Sequence, residues 1–198
     1  KAAWPSISHN GLGFLFSKDW NPVEDQFGAL PFIFGTLITS IIAVLIATPV
    51  SIFVALFISE YIPTKISRLI SLLVEMVAAI PSIVFGLWGI FYLSPLMKTS
   101  IAPFLKNYFG FLPFFDGSSF GIGILTASLV LSVMIVPTIS SICRSLFELV
   151  PEHQKEASYA LGSTKYEMIK MAILTPSLSG ISSAVVLGLG RALGETMA

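Results

Sequence analysis

The chain has 198 residues, of which 55% are hydrophobic and 11% charged, and its mean hydropathy is +0.87. A soluble domain usually carries roughly a quarter charged residues, so this composition excludes an ordinary soluble protein and sets an all-α, membrane-spanning class as the expectation. Eleven basic residues balance eleven acidic ones, which leaves no basic face to neutralise phosphates along a duplex and argues against a nucleic-acid partner.

Residues 1–29 are rich in Gly, Pro, Asp, Asn and aromatics and read as a loop with room for a short helix. Within it Trp4, Phe14, Phe16 and Trp20 suit either a membrane interface or packing on the protein itself. No charged start leads into an apolar stretch and a small-residue cleavage site, so no signal peptide is read there, and the chain is expected to begin within a longer protein. Residues 30–58 hold no charge and exceed the roughly 20 residues needed to cross the hydrocarbon core, which makes them a first span that Pro49 is placed to kink. A polar turn at 60–68 carries Pro63, Lys65 and Arg68 and leads into a second span at 69–97, interrupted by Pro81. Residues 95–119, with Lys98, Pro103, Lys106, Pro113 and Asp116, read as another loop. A third span follows at 120–147, containing Pro137 and the single Cys143, which reads as a small packing residue. The fourth span is 176–198.

Four spans put the 60–68 turn and the 149–175 segment on one side of the membrane, and residues 1–29 and 95–119 on the other. The first side carries Lys65, Arg68, Arg144, Lys155, Lys165 and Lys170; the second carries Lys1, Lys18, Lys98 and Lys106. The positive-inside rule then places the 149–175 segment in the cytoplasm.

That segment is itself ordered by local signals. Pro151 suits a first helical position and Gly162 the residue just past a helix end, so 151–161 reads as one short helix. Ala157, Ala160 and Leu161 form a small apolar face on it, and Glu152, His153, Lys155 and Glu156 cover the other sides. Thr164 followed by Glu167 is a capping-box pattern, which starts a second helix that feeds the fourth span.

Arg191 is the one basic residue deep inside a span, about 20 Å of helix beyond Pro176, where a charge must face protein or water. Its planar fork of donors suits an oxyanion, and the bland alternative is an ion pair with Glu195 one turn on; the two combine if Arg191 meets the anion during passage and Glu195 holds it when the path is empty, which makes Arg191 and Glu195 the expected translocation residues. Gly188, Gly190 and Gly194 surround it; Gly190 and Gly194 form a GxxxG spacing that lets another helix approach closely, and Gly180, Ser182 and Ser183 extend the small-residue surface. Glu75 lies about two turns into the second span and needs a partner there, for which Arg144 is the candidate; structural pairing is its first reading and gating its second. His9 and His153 stand alone in polar loops, so no metal site is expected. There is no GxxxxGK[ST] phosphate loop and no Ser/His/Asp arrangement, so the chain is not expected to be an enzyme or to hydrolyse ATP.

Glu156-Ala157-Ser158, followed after three residues by Gly162, resembles the EAA loop of permease subunits of binding-protein-dependent ABC importers. GLGRALGETMA at 188–198, GALPFIFGTLITS at 28–40 and AAIPSIVFGLWGIFYLSP at 78–95 are similar to the C-type permeases of phosphate-specific importers. One departure is Leu174-Thr175-Pro176, where the family loop usually ends in Leu-Pro. The resemblance implies a MetI-like helical bundle of six spans, four of them in this chain, in the cell inner membrane. It implies that Glu156, Ala157, Ala160, Leu161 and Gly162 seat in a groove of an ATPase dimer, which binds ATP and Mg²⁺ while this chain holds no cofactor. The other implied partners are an A-type permease and an extracytoplasmic phosphate-binding protein that delivers phosphate. The rival readings are a permease for another oxyanion such as molybdate or sulfate, an ATP-independent channel, or a membrane scaffold.

Overall fold

The computed structural model describes residues 16–18, 28–103 and 121–195. Most of the expected loops at 1–29 and 95–119 lie outside the described residues, with Trp4, His9, Phe14, Trp20, Lys106 and Asp116 among them. The described residues are helical, with no strand among them.

Helix α1, Leu30–Leu56, opens with Pro31 in its first turn and continues through a π-helical turn, Phe57–Tyr61. Pro63 ends it, because a proline disfavours helical backbone in the residue before it, and Ile62 is extended at φ −101°, ψ 137°. Helix α2, Thr64–Ala78, follows at once, and α3, Ser82–Trp88, runs on through further turns to Ile101. Helix α4 is Ile124–Glu148, α5 is Glu152–Ala160 and α6 is Lys165–Met168. A π-helical turn, Ile169–Leu174, joins α6 to α7, Thr175–Gly194, so that Lys165–Gly194 forms one continuous rod.

Among the described residues, three helices are long and apolar enough to cross a membrane: Leu30–Tyr61, Ile124–Glu148 and Lys165–Gly194. The segment expected as a second span differs in shape. Its helix begins at Thr64 rather than at residue 69, and its two arms, Thr64–Ala78 and Ser82–Ile101, meet at 84°. Pro81 accounts for the break, since it lacks an N–H and pushes Ile80 out of helical backbone. It is a fourth span only if both bent arms are taken together.

The core is a contact of small residues against large ones. Ser40, Ala43, Ala47, Ser51 and Ala55 recur every three or four residues along α1, and all are fully buried. They meet Leu131, Ile135, Ile139, Cys143 and Phe147, which recur every four residues on α4. Lipid supplies no hydrophobic drive between helices, so close backbone approach and dispersion hold such a pair together. Ser51 adds a bond across it, donating its hydroxyl to Val136 O at 3.2 Å as well as to its own helix at Ala47 O, 2.7 Å.

Helix α7 packs on the same face of α4 through Gly180, Ala184, Gly188 and Ala192, spaced four apart. A Cβ at Gly188 would stand 2.7 Å from Ile139 Cδ1, and one at Gly180 would stand 2.6 Å from Leu146 Cδ1. The close approach expected at Gly190 and Gly194 is not made within the described residues, where a Cβ at either position meets nothing within 4 Å. The stripe running through Gly188 faces α4, and the other two glycines are turned away from it.

Candidate functional site

Arg191 sits in the last turn of α7 and is half-buried. Its Nη1 donates to Thr138 Oγ1 on α4 at 2.9 Å, and its Nη2 donates to the carbonyl of Ala78 at 3.2 Å. Ala78 is the last residue of α2, at the break that Pro81 imposes. The amides of Ala79 and Ile80 fold back onto Glu75, Met76 and Val77, and the carbonyl of Ala78 remains for the arginine. That carbonyl belongs to the negative end of the α2 dipole, which favours a cation. One guanidinium therefore ties together α7, α4 and the broken end of α2.

Both acceptors are neutral, and among the described residues Arg191 enters no ion pair. The pairing with Glu195 weighed from the sequence is not formed. Helix α7 ends at Gly194, and at Glu195 the backbone turns extended, φ −79°, ψ 121°, so the helix does not continue past it. The site residues that sequence reasoning missed are Thr138 and Ala78. The available signals were a hydroxyl directly after Pro137 and the carbonyl that a proline break releases.

Glu75 is exposed and borders a small cavity of about 10 Å³ with Ser71, Ser140, Ser141 and Arg144, roughly the room of one water. Arg144, its expected partner, lines the same cavity but pairs instead with Glu148, Nη2 to Oε1 at 2.8 Å and Nε to Oε1 at 3.0 Å. The i,i+4 neighbour on its own helix wins over a group on another helix.

The second candidate region is α5 and its flanks. Gly162 holds φ +85°, its amide donates to Tyr159 O at 2.9 Å, and the amide of Ser163 donates to Ser158 O at 3.3 Å. These two bonds are a Schellman motif, which requires the left-handed residue that glycine supplies. The Ser163 hydroxyl reinforces it with 2.7 Å contacts to Ser158 O and Oγ. The capping box forms as its pattern predicts: the amide of Thr164 donates to Glu167 Oε2 at 2.8 Å, and the amide of Glu167 donates to Thr164 Oγ1 at 3.4 Å. Before this turn α5 has no buried residue; Glu156, Ala157 and Ala160 are exposed, and Leu161 is 90% exposed.

What holds α5 to the rest of the chain is polar. Lys155 Nζ lies 2.7 Å from Glu60 Oε1, with both side chains largely buried, and 3.9 Å from Glu152. Lys165 Nζ donates to the backbone carbonyl of Glu60 at 3.0 Å and stands 3.8 Å above the Tyr61 ring. The α1–α2 turn and the α4–α6 connection thus meet on one side of the bundle, as the span count requires.

A bundle of helices long and apolar enough to cross a membrane, with one short helix that buries no residue, defines a membrane-embedded helical protein. The model of the family described as binding-protein-dependent transport system inner membrane component matches residues 47–198, and the chain belongs to that family. Its all-α, MetI-like character and inner-membrane location follow. Among its relatives are proteins called phosphate transport system permease protein PstC. The one from Pasteurella multocida is 46% identical over 99% of this chain and 62% of its own length. Those from Xylella fastidiosa (strain Temecula1) and Haemophilus influenzae are 47% and 46% identical, over 98% and 99% of this chain and 61% and 64% of theirs. The chain spans about three fifths of the length of these curated relatives.

Proposed function

We propose that this chain is the C-type pore subunit of an ATP-driven phosphate importer, in which Arg191 meets the anion in passage. The observation that carries the anion role is the bonding of Arg191 to a hydroxyl and a carbonyl, which leaves its positive charge without a carboxylate partner among the described residues. The naming of its relatives for phosphate transport supports phosphate over sulfate or molybdate. A guanidinium presents parallel N–H donors to two oxygens of a phosphate without any protonation step. Phosphate oxygens arriving there replace Thr138 Oγ1 and Ala78 O, so occupancy of the path and the attachment of α2 to α7 become exclusive states. This exchange takes the place of the one with Glu195 that the one-turn spacing suggests.

In this reading α5 lies in the cytoplasm and seats through Glu156, Ala157, Ala160, Leu161 and Gly162 on an ATPase dimer, which binds ATP and Mg²⁺. An A-type permease completes the pathway and an extracytoplasmic binding protein delivers phosphate. The chain itself catalyses nothing. The test is uptake of labelled phosphate, sulfate and molybdate into vesicles holding the assembled transporter, with and without internal ATP. ATP-dependent uptake of phosphate above the other two is expected. Equal uptake without ATP contradicts the importer, and preference for another oxyanion contradicts the substrate.

A further inference from the structure

The α5 helix faces a mechanical problem. It buries no residue, so apolar packing does not fix it to the spans whose arrangement it has to change. Its covalent routes to the bundle run back through residues 149–151 to α4 and forward through Gly162 and the capping box into α6 and α7. The α1–α2 turn is 95 residues distant in sequence, yet Glu60 from that turn accepts from Lys155 at 2.7 Å. The two side chains are 8% and 14% exposed, so water screens the pair weakly and each charge depends on the other. A second attachment lies beside it, where Lys165 at the start of α6 bonds the Glu60 carbonyl and covers the Tyr61 ring. Tyr61 in turn stacks on Phe57, with ring centroids 6.1 Å apart, and Phe57 on Phe53 at 6.4 Å, so the contact continues up the outer face of α1.

We infer that the Glu60–Lys155 ion pair is a positioning link that carries displacement of α5 to the end of α1 and the start of α2, alongside the covalent route to α7. Two routes from one helix explain how a push on α5 reaches both sides of Arg191. Through α6 it moves the helix that carries the guanidinium, and through Glu60 it moves α2, whose far end holds the Ala78 carbonyl. An ion pair suits this role better than an apolar contact, because it resists sliding: a shift of an ångström or two within a poorly solvated site leaves two unpaired charges. The inference rests on α5 being the seat of the ATPase.

The test uses the assembled transporter in vesicles and reads three quantities: co-purification of the ATPase, its ATP hydrolysis, and uptake of labelled inorganic phosphate. Glu60→Gln and Lys155→Gln are each expected to retain the ATPase and its hydrolysis while phosphate taken up per ATP falls about five- to tenfold, the scale of coupling between sites. The exchanged pair, Glu60→Lys with Lys155→Glu, is expected to recover most of that ratio, which assigns the loss to the pair rather than to either side chain, while retained assembly and hydrolysis in the single variants separate it from a merely structural role. An unchanged ratio in both single variants, or loss in the exchanged pair equal to the single losses, overturns the link. Should one single variant fail to assemble, the other and the exchanged pair still decide. Leu161→Glu separates the underlying reading: if it keeps full ATPase co-purification, α5 is not the seat and the docking reading fails instead.

Discussion

The α1–α4–α7 bundle and the α2–α5 periphery are held by different physics. In the bundle, stripes of Ser, Ala and Gly let backbones approach until Ile139 and Leu146 touch the opposing helix. In the periphery, α5 buries nothing and α2 buries only Ser67 and Ser71, and named polar bonds do much of the holding: Lys155 to Glu60 and Arg191 to Ala78. Packing of the first kind has one good arrangement and resists deformation. Bonds of the second kind can be exchanged for others of similar strength, which is what a moving part requires. The bundle is therefore the stiffer frame, in which α7 can pass on a push only as a rigid rod, and α2 and α5 are held by the bonds that can be exchanged.

The strongest way to break this distinction is to add volume to the frame. Gly188→Leu places a branched side chain where a Cβ alone already stands 2.7 Å from Ile139, and overpacking of this kind costs about 1–3 kcal/mol or more. Yield of monodisperse transporter by size-exclusion, and its melting temperature, should both fall. Removing a polar bond should have the opposite signature. Thr138→Val keeps the shape but removes the acceptor at 2.9 Å from Arg191, a bond to a charged group worth about 1.5–3 kcal/mol. Assembly should persist, while the phosphate dependence of uptake shifts. Gly162→Ala tests the periphery more gently: φ +85° costs a Cβ about 1 kcal/mol, and open space surrounds it, so the ATPase should bind somewhat more weakly with the bundle intact. The smallest effect within the chain belongs to Gly190→Leu, which meets nothing within 4 Å; its melting temperature as an isolated subunit should match wild type. A large loss there would mean that the frame extends further than α4.

Local features were legible in the sequence because their causes are local. Pro151, Gly162, Thr164 and Glu167 each act within one turn, and the helices start and stop beside them. The break at Pro81 was legible too, but not its 84° angle, which no single residue encodes. Which of the three expected glycines of α7 packs was not legible because they occur on two sides of it, and among the described residues the position of α4 decides that Gly188 is used and Gly190 is not. The partners of Arg191 lie 53 and 113 residues away, and one of them is a backbone carbonyl, so no spacing rule could have named them. Glu195 looked like the partner because it lies one turn from Arg191, but the guanidinium is taken up by groups on two other helices.

The central claim is that Arg191 offers its charge to the passing anion and rests on Thr138 and Ala78 in its absence. The most direct measurement is ATP-driven uptake of labelled phosphate by Arg191→Ala transporter in vesicles, at matched protein level and matched ATPase content. Loss of a preorganised charged donor predicts a fall of about a hundredfold or more. Uptake at the wild-type rate would contradict the claim and leave Arg191 as a tether that holds the broken end of α2.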